Sequence, residues 1–236
     1  MAEHTIVESF TPLWWISTVV ALLVLWLSLR YLSTLPWSKL RKVEIGLVWF
    51  VILRELAWQI YYIYVGSWDI RYCLPLQLCG ISQIVGAILL VRFHQGWYEF
   101  LLLLGLGGAV QSFLTPEITT IYNWLTHIDF YVAHGLIWFF ALYQLVVKKR
   151  TIRPNAWLTA FLIGLGTLGV MAIFNKIIDG NYIFLCQRPI VENPLIMGDW
   201  PYYLLSFLGF GLTNIVLFHF FFRWQGKRIS PDFKAS

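Results

Sequence analysis

Seven stretches of the chain are long and apolar enough to cross a bilayer, and they leave little else to fold. They run over 12–32, 43–65, 74–93, 97–113, 130–147, 156–178 and 202–222. A span needs roughly 20 mostly apolar residues, so the fourth and fifth sit at the short end. His94-Gln95-Gly96, next to Arg92, divides what otherwise reads as one apolar run from Leu74 to Phe113 into a tight hairpin. Charged residues make up only 12% of the 236 residues, which is too few to coat a soluble surface. The 13 Trp, 12 Tyr and 18 Phe exclude a disordered chain. The expectation is an all-α membrane protein, one bundle of seven transmembrane helices forming a single domain over 1–236.

The charges give this bundle a direction. Arg30, Lys39, Arg41 and Lys42 lie in the first loop, Arg92 in the third, and Lys148, Lys149, Arg150 and Arg153 in the fifth. Arg223, Lys227, Arg228 and Lys234 follow the last span, so 13 of the 17 basic residues fall on one side. Glu3, Glu8, Asp69, Glu117, Asp129, Asp179, Glu192 and Asp199 fall on the other. The positive-inside rule makes the basic side cytoplasmic, with the N-terminus outside and the C-terminus inside. The net charge of +5 is therefore a topological signal and not a nucleic-acid one. No positive segment precedes the first span and no small-residue cleavage site follows it, so it reads as a span and not as a signal peptide. A multi-pass protein of the cell membrane follows.

Two outer loops are long. Thr115-Pro116-Glu117 has the pattern of a helix start, and the spacing predicts a short surface helix over 116–126. The loop over 179–201 carries Pro189, Pro194 and Pro201, yet also Tyr182, Phe184, Leu185, Ile190 and Ile196. It either folds over the mouth of the bundle or lies at the interface on its aromatic anchors.

Ionisable groups within spans are costly and mark function or structure. Arg54 and Glu55 lie near the middle of the second span. Depth counting at about 1.5 Å per residue sets Glu55 level with Gln83 and Arg54 level with Asn214. The two readings are a structural polar clamp tying the second, third and seventh spans, or a transport, channel or sensing path at the midplane. On the third span Cys79, Ser82, Gln83 and Gly86 share one small or polar face, with Pro75 placed in the first turn. Gly105, Gly107 and Gly108 on the fourth span, and Ala160, Gly164 and Gly166 on the sixth, allow close helix approach.

Cys73 and Cys186 both belong to outer loops, which allows a disulfide between them or two separate free thiols. Cys79 lies about five residues inside the third span, and His134 about four inside the fifth. Gln111 is near the same level. A thiol and an imidazole at matched depth permit a thiolate–imidazole nucleophile; spacing alone favours the plainer reading of an inert buried thiol and a hydrogen-bonded histidine. His4, His94, His127, His134 and His219 do not converge on one depth, so no metal is expected.

Leu74-Pro75-Leu76-Gln77-Leu78-Cys79, Gln111, Thr115-Pro116, His134-Gly135, Asn181-Tyr182 and Trp200-Pro201-Tyr202 occur in that order. Together they resemble the bacterial YwaF-type integral membrane proteins, from about residue 45 to 220. A related vertebrate branch is a transmembrane lipid acyltransferase using a Cys and a His. The resemblance implies that Cys79 accepts the acyl group and His134 acts as base at the outer leaflet, with membrane lipids as substrate and no cofactor; a lyso-lipid hydroxyl as acceptor makes the chain an acyltransferase, and water makes it a lipid hydrolase. Under that reading Gln111 or Asn181 donates to the oxyanion, and Tyr182 orients His134 or the glycerol backbone. The chain departs from the family pattern at Gln77, where a His is expected.

Overall fold

The computed structural model describes residues 5–118, 121–189 and 198–229, with side chains as far as Gln225. Among these residues seven helices account for most of the chain. They are α1 (Pro12–Leu32), α2 (Trp37–Tyr64), α3 (Leu78–Val91), α4 (Gln95–Leu114), α5 (Trp124–Val146), α6 (Ala156–Ile178) and α7 (Tyr203–Ile229). Five of them, α1, α4, α5, α6 and α7, are long and apolar enough to cross a membrane. The other two fall short on opposite counts. α2 has 28 residues but carries Lys39, Arg41, Lys42, Glu44, Arg54 and Glu55. α3 is apolar but has only 14 residues, about 21 Å of rise.

The helices divide into centre and periphery. Of α4's apolar window 61% is buried within the protein, against 11% for α7. α4 touches α3, α5, α6 and α7, and Leu101, Leu102 and Leu103 at its middle are fully buried. α1 buries only Trp14, Thr18, Leu29 and Leu32, and exposes Ile16, Val19, Val20, Leu23 and Leu27. Such a surface is stable only against lipid.

Local chemistry sets the boundaries. α1 starts where expected: Thr11 caps it by accepting from the Trp14 N–H, with Pro12 at the first helical position. The hairpin between α3 and α4 also forms, and His94 Nδ1 caps α4. Small residues bring helices together as expected. A Cβ on Gly86 would lie 2.3 Å from the Phe140 ring, and one on Gly105 2.8 Å from Ser82 Oγ.

Besides α2, which starts at Trp37 and not at 43 and so takes in Lys39, Arg41 and Lys42, three boundaries differ from the sequence expectation. The surface helix over 116–126 does not form. Thr115 ends α4, and Glu117–Ile118 pairs antiparallel with Thr5–Ile6 in a short ladder. Trp14 Nε1 donates to Phe113 O at 2.7 Å, so the chain's first segment is sewn to the end of α4. The helix start lies further on, at Asn123. Its Oδ1 accepts from Thr126 N at 3.0 Å while Thr126 Oγ1 accepts from Asn123 N at 2.9 Å, a reciprocal capping box. α5 therefore begins six residues before the expected 130, which brings Asp129 into a helix. Third, α3 starts at Leu78 and not at Leu74, and Pro75 precedes the helix. The chain at 74–76 folds tightly back over α3's first turn, where a Cβ on Gly80 would lie 2.5 Å from Pro75 O.

The segment 179–189 is bound to the same end of the bundle. Asp179 ends α6 in the left-handed conformation, and Gly180 N donates to Asn175 O at 3.0 Å. Asn175 then brackets Tyr182, accepting from its N–H at 2.8 Å and donating to its carbonyl at 2.9 Å. Ile190, Glu192, Pro194 and Ile196 lie outside the described residues, as do Glu3, His4, Thr119, Thr120 and Lys234.

Candidate functional site

A cavity of about 370 Å3 opens between α3, α4, α5 and α7. Cys79, Gln111, Ser112 and His134 line it together with Gln77 and Asp129. Cys79 is the second residue of α3, and His134 the eleventh of α5. Both side chains reach the same cavity although they sit at very different points along their helices. Counted from the observed starts, Cys79 and His134 no longer match in helix position, and what brings them together is the cavity.

His134 is held in one tautomer. Its Nδ1 lies 2.7 Å from the carbonyl of Phe130, one turn earlier. A carbonyl only accepts, so the proton sits on Nδ1 and the neutral ring presents a bare Nε2. The Phe130 ring also lies against the imidazole, with centroids 4.2 Å apart. Cys79 and His134 line the same cavity, near enough for their charges to influence one another. Cys79 Sγ is also 3.9 Å from Ser112 Oγ. Ser112 donates its own proton to Gly108 O at 3.1 Å, which leaves its oxygen as an acceptor.

Other expected site residues fall elsewhere. Gln111 lines the cavity and uses one amide N–H on Thr115 Oγ1 at 2.9 Å; its second N–H remains for a ligand. Asn181 is spent on its own loop. Its Oδ1 accepts from Cys186 N and Gln187 N, and its Nδ2 donates to Gln187 O. It does not face Cys79. Tyr182 is fully buried, donating to Ile70 O at 2.7 Å and accepting from Leu74 N at 2.9 Å. It pins the lead-in to α3 and touches neither His134 nor the cavity; burial pushes its hydroxyl up to about 12, so it remains a donor. Ile183, Phe184 and Pro189 line the cavity instead, so the 179–189 segment does cover it. Gln77 turns its Oε1 to the Ile183 N–H at 2.7 Å and holds that cover in place.

The polar clamp forms with different partners. Arg54 meets Asp129 side-on, Nε to Oδ1 at 2.6 Å and Nη2 to Oδ2 at 2.5 Å, and its Nη1 donates to Gln83 Oε1 at 3.1 Å. It ties α2 to α3 and α5, and not to α7. Asn214 donates to Phe210 O within its own helix. Glu55 accepts from Gln59, which also donates to Cys73 O. Cys73 and Cys186 are free thiols. Cys73 is buried against Ser67 O and Asp69 N, and burial pushes its thiol up. No group of three His, Cys, Asp or Glu able to hold a metal occurs among the described residues.

Two buried carboxylates escaped the sequence reading because each lies near a helix start beside basic loops. Glu44 accepts from Tyr143 Oη at 2.6 Å and pairs with Lys148 Nζ at 2.8 Å. Glu99 takes Arg153 at 2.6 Å and Gln95 at 2.9 Å. Both are far along the chain from Cys79 and brace the opposite end of the bundle.

The sequence pattern of the TMEM164 family matches residues 3–222. The chain belongs to the TMEM164 family. The match runs from the N-terminal ladder through most of α7 and takes in every cavity residue, so the TMEM164 family pattern and the bundle are coextensive. It makes the chain a membrane protein of that family. No curated protein and no solved structure matches it.

Proposed function

We propose that this TMEM164 family chain is a lipid acyltransferase of the cell membrane. In this proposal it crosses the bilayer seven times, N-terminus outside and C-terminus in the cytoplasm, and carries the acyl group as a thioester on Cys79. The observation that carries the proposal is the pairing of a thiol with a tautomer-locked imidazole in a cavity large enough for a lipid ester. The ordered resemblance to the YwaF-type proteins and the acyltransferase branch related to them is the second support.

His134 Nε2 takes the Cys79 proton, and the thiolate attacks the ester carbonyl of a bound lipid. The oxyanion is met by the first-turn N–H groups of α3, which Gln77 leaves without a side-chain cap, and by the second N–H of Gln111. The intermediate collapses, the C–O bond breaks, and the imidazolium returns its proton to the departing lyso-lipid oxygen. In the second half a lyso-lipid hydroxyl gives its proton to Nε2 and attacks the thioester. The C–S bond breaks, and the thiolate takes the proton back. Backbone donors in α3 thus replace Asn181 in the role first expected of it.

The test is intact-protein mass after incubation of the purified protein with phospholipid vesicles. An acyl adduct is expected, mapped to the Cys79 peptide, released by hydroxylamine and absent from Cys79→Ala. His134→Ala is expected to slow its formation by about 10²–10⁴-fold, the usual scale of a positioned base. Wild-type protein that stays unmodified, or an adduct that survives in Cys79→Ala, refutes the proposal.

A further inference from the structure

The cavity around Cys79 is two-sided. Gln77, Gln111, Ser112, Thr115 and Asp129 make one wall polar; Leu104, Phe207, Phe210 and Gly211 make the other apolar, broken only by Asn214, whose amide donates to Phe210 O of its own helix. A second, smaller cavity of about 50 Å3 continues from the apolar wall, sharing Leu78, Leu104, Ile183, Phe207 and Gly211 with the first. It runs between α6 and α7 past Leu165, Leu168 and Leu212. Its one polar side chain, Thr167, is spent on Ile163 O of its own helix at 2.9 Å. Leu165 is exposed on the bundle's outside, so the groove reaches the lipid-facing surface.

Leu104 stands at the junction of the two spaces. It belongs to the π-helical turn Leu101–Gly105, which inserts an extra residue into α4. It is flanked by two glycines on different helices. A Cβ on Gly164 of α6 would lie 2.9 Å from Leu104 Cδ2, and one on Gly211 of α7 4.0 Å from Leu104 Cδ1. The passage is therefore bounded by one rotatable leucine and two positions without side chains.

We infer that the groove between α6 and α7 is the acyl-chain site, and that Gly211 with Leu104 sets the length of chain accepted. The inference rests on the acyl-thioester reading of Cys79. The ester carbonyl lies at Cys79, its glycerol side faces the polar wall, and its hydrocarbon passes Leu104 into the groove. Lipid is as apolar as the groove, so entry gains nothing from hydrophobicity alone. Selection is steric, by what fits between Leu104 and Gly211.

Gly211→Leu narrows the passage, and the open space around its Cβ spares the backbone. Gly209→Leu is the control, since Gly209 has nothing within 4 Å and lines neither cavity. The probe is a vesicle of phosphatidylcholine with a mixture of short and long saturated chains, and the readout is the mass profile of the Cys79 adduct. Gly211→Leu should lower the long-to-short ratio about tenfold, the scale of a modest overpacking clash. Gly209→Leu should leave the ratio unchanged. An adduct whose ratio is the same in Gly211→Leu and wild type overturns the groove. If no adduct forms in any variant, the acyl-enzyme reading fails, and the groove is judged by phosphatidylcholine bearing a photoreactive group at the chain end. Label concentrated on 161–168 and 207–215, and reduced by Gly211→Leu, sustains the chain site; label spread evenly over α1, α6 and α7 overturns it.

Discussion

Arg54 is the costliest side chain to place in this bundle, and its two bonds to Asp129 explain how it is tolerated. A guanidinium in hydrocarbon needs a planar, two-point partner. Removing one member of a buried pair leaves the other charge stranded, at a cost of about 3–5 kcal/mol. Arg54→Ala is expected to lower thermal stability in detergent by that amount, and Arg54→Lys by somewhat less, because lysine cannot make the fork. A double variant, Arg54→Met with Asp129→Leu, should recover much of the loss, since an apolar pair has no charge to strand. Arg54→Ala melting with wild type would mean that the pair contributes nothing to stability. The arginine was legible in the sequence as a buried charge, but its partner was not. Asp129 reads as a loop residue only while α5 is taken to start at 130. The signal that moves the start is the Asn123–Thr126 capping box, which lacks the Glu or Gln usual at its third position. Cys79, His134 and Gln111 were legible as residue types at related depths. Asn181 and Tyr182 misled because loop asparagines and tyrosines are as readily consumed by backbone groups as by ligands.

Several helices of the bundle are shaped by where they lack a side chain. Gly86 lets α3 lie directly on Phe140 of α5, with no room for a methyl group. Gly135, beside His134 on α5, faces open space. The same substitution should therefore act in opposite directions. Gly86→Ala is expected to destabilise by about 1–3 kcal/mol through overpacking. Gly135→Ala is expected to be neutral or to stabilise by up to about 1 kcal/mol, the helix-propensity difference. Melting curves of the two variants measured side by side decide it, and equal shifts would contradict the packing described. The glycine faces of α3, α4 and α6 could be read from spacing. The π turn in α4 could not, because an unbroken Leu101–Leu104 run has no periodicity to reveal an inserted residue. Nor could the short ladder of Thr5–Ile6 on Glu117–Ile118, which is a contact between distant segments and leaves no local pattern.

At the scale of the whole molecule, hydrogen bonds gather the basic segments at one end of the bundle. Arg41 reaches Leu90 O at 2.7 Å, Tyr98 Oη donates to Arg150 O at 3.2 Å, and Arg223 Nη1 donates to Ile152 O at 3.3 Å. The start of α2 therefore meets the end of α3, and the loop at 147–155 meets the start of α4 and the end of α7. Cys79, Tyr182 and Cys186 belong to the opposite end. In the proposed topology the basic end is cytoplasmic and Cys186 lies outside. Cys186 is exposed, whereas Cys73 is buried with its thiol pushed up by desolvation. A membrane-impermeant maleimide added to intact cells is expected to label the protein through Cys186, and Cys186→Ser should abolish that signal. A reporter active only in the cytoplasm should work when fused after Ser236. Labelling of Cys186 that appears only after the membrane is opened, together with a silent C-terminal reporter, would invert the topology. It would also move the thiol of Cys79 to the inner leaflet, so that lyso-lipid supplied from outside intact cells would no longer reach the acyl-enzyme.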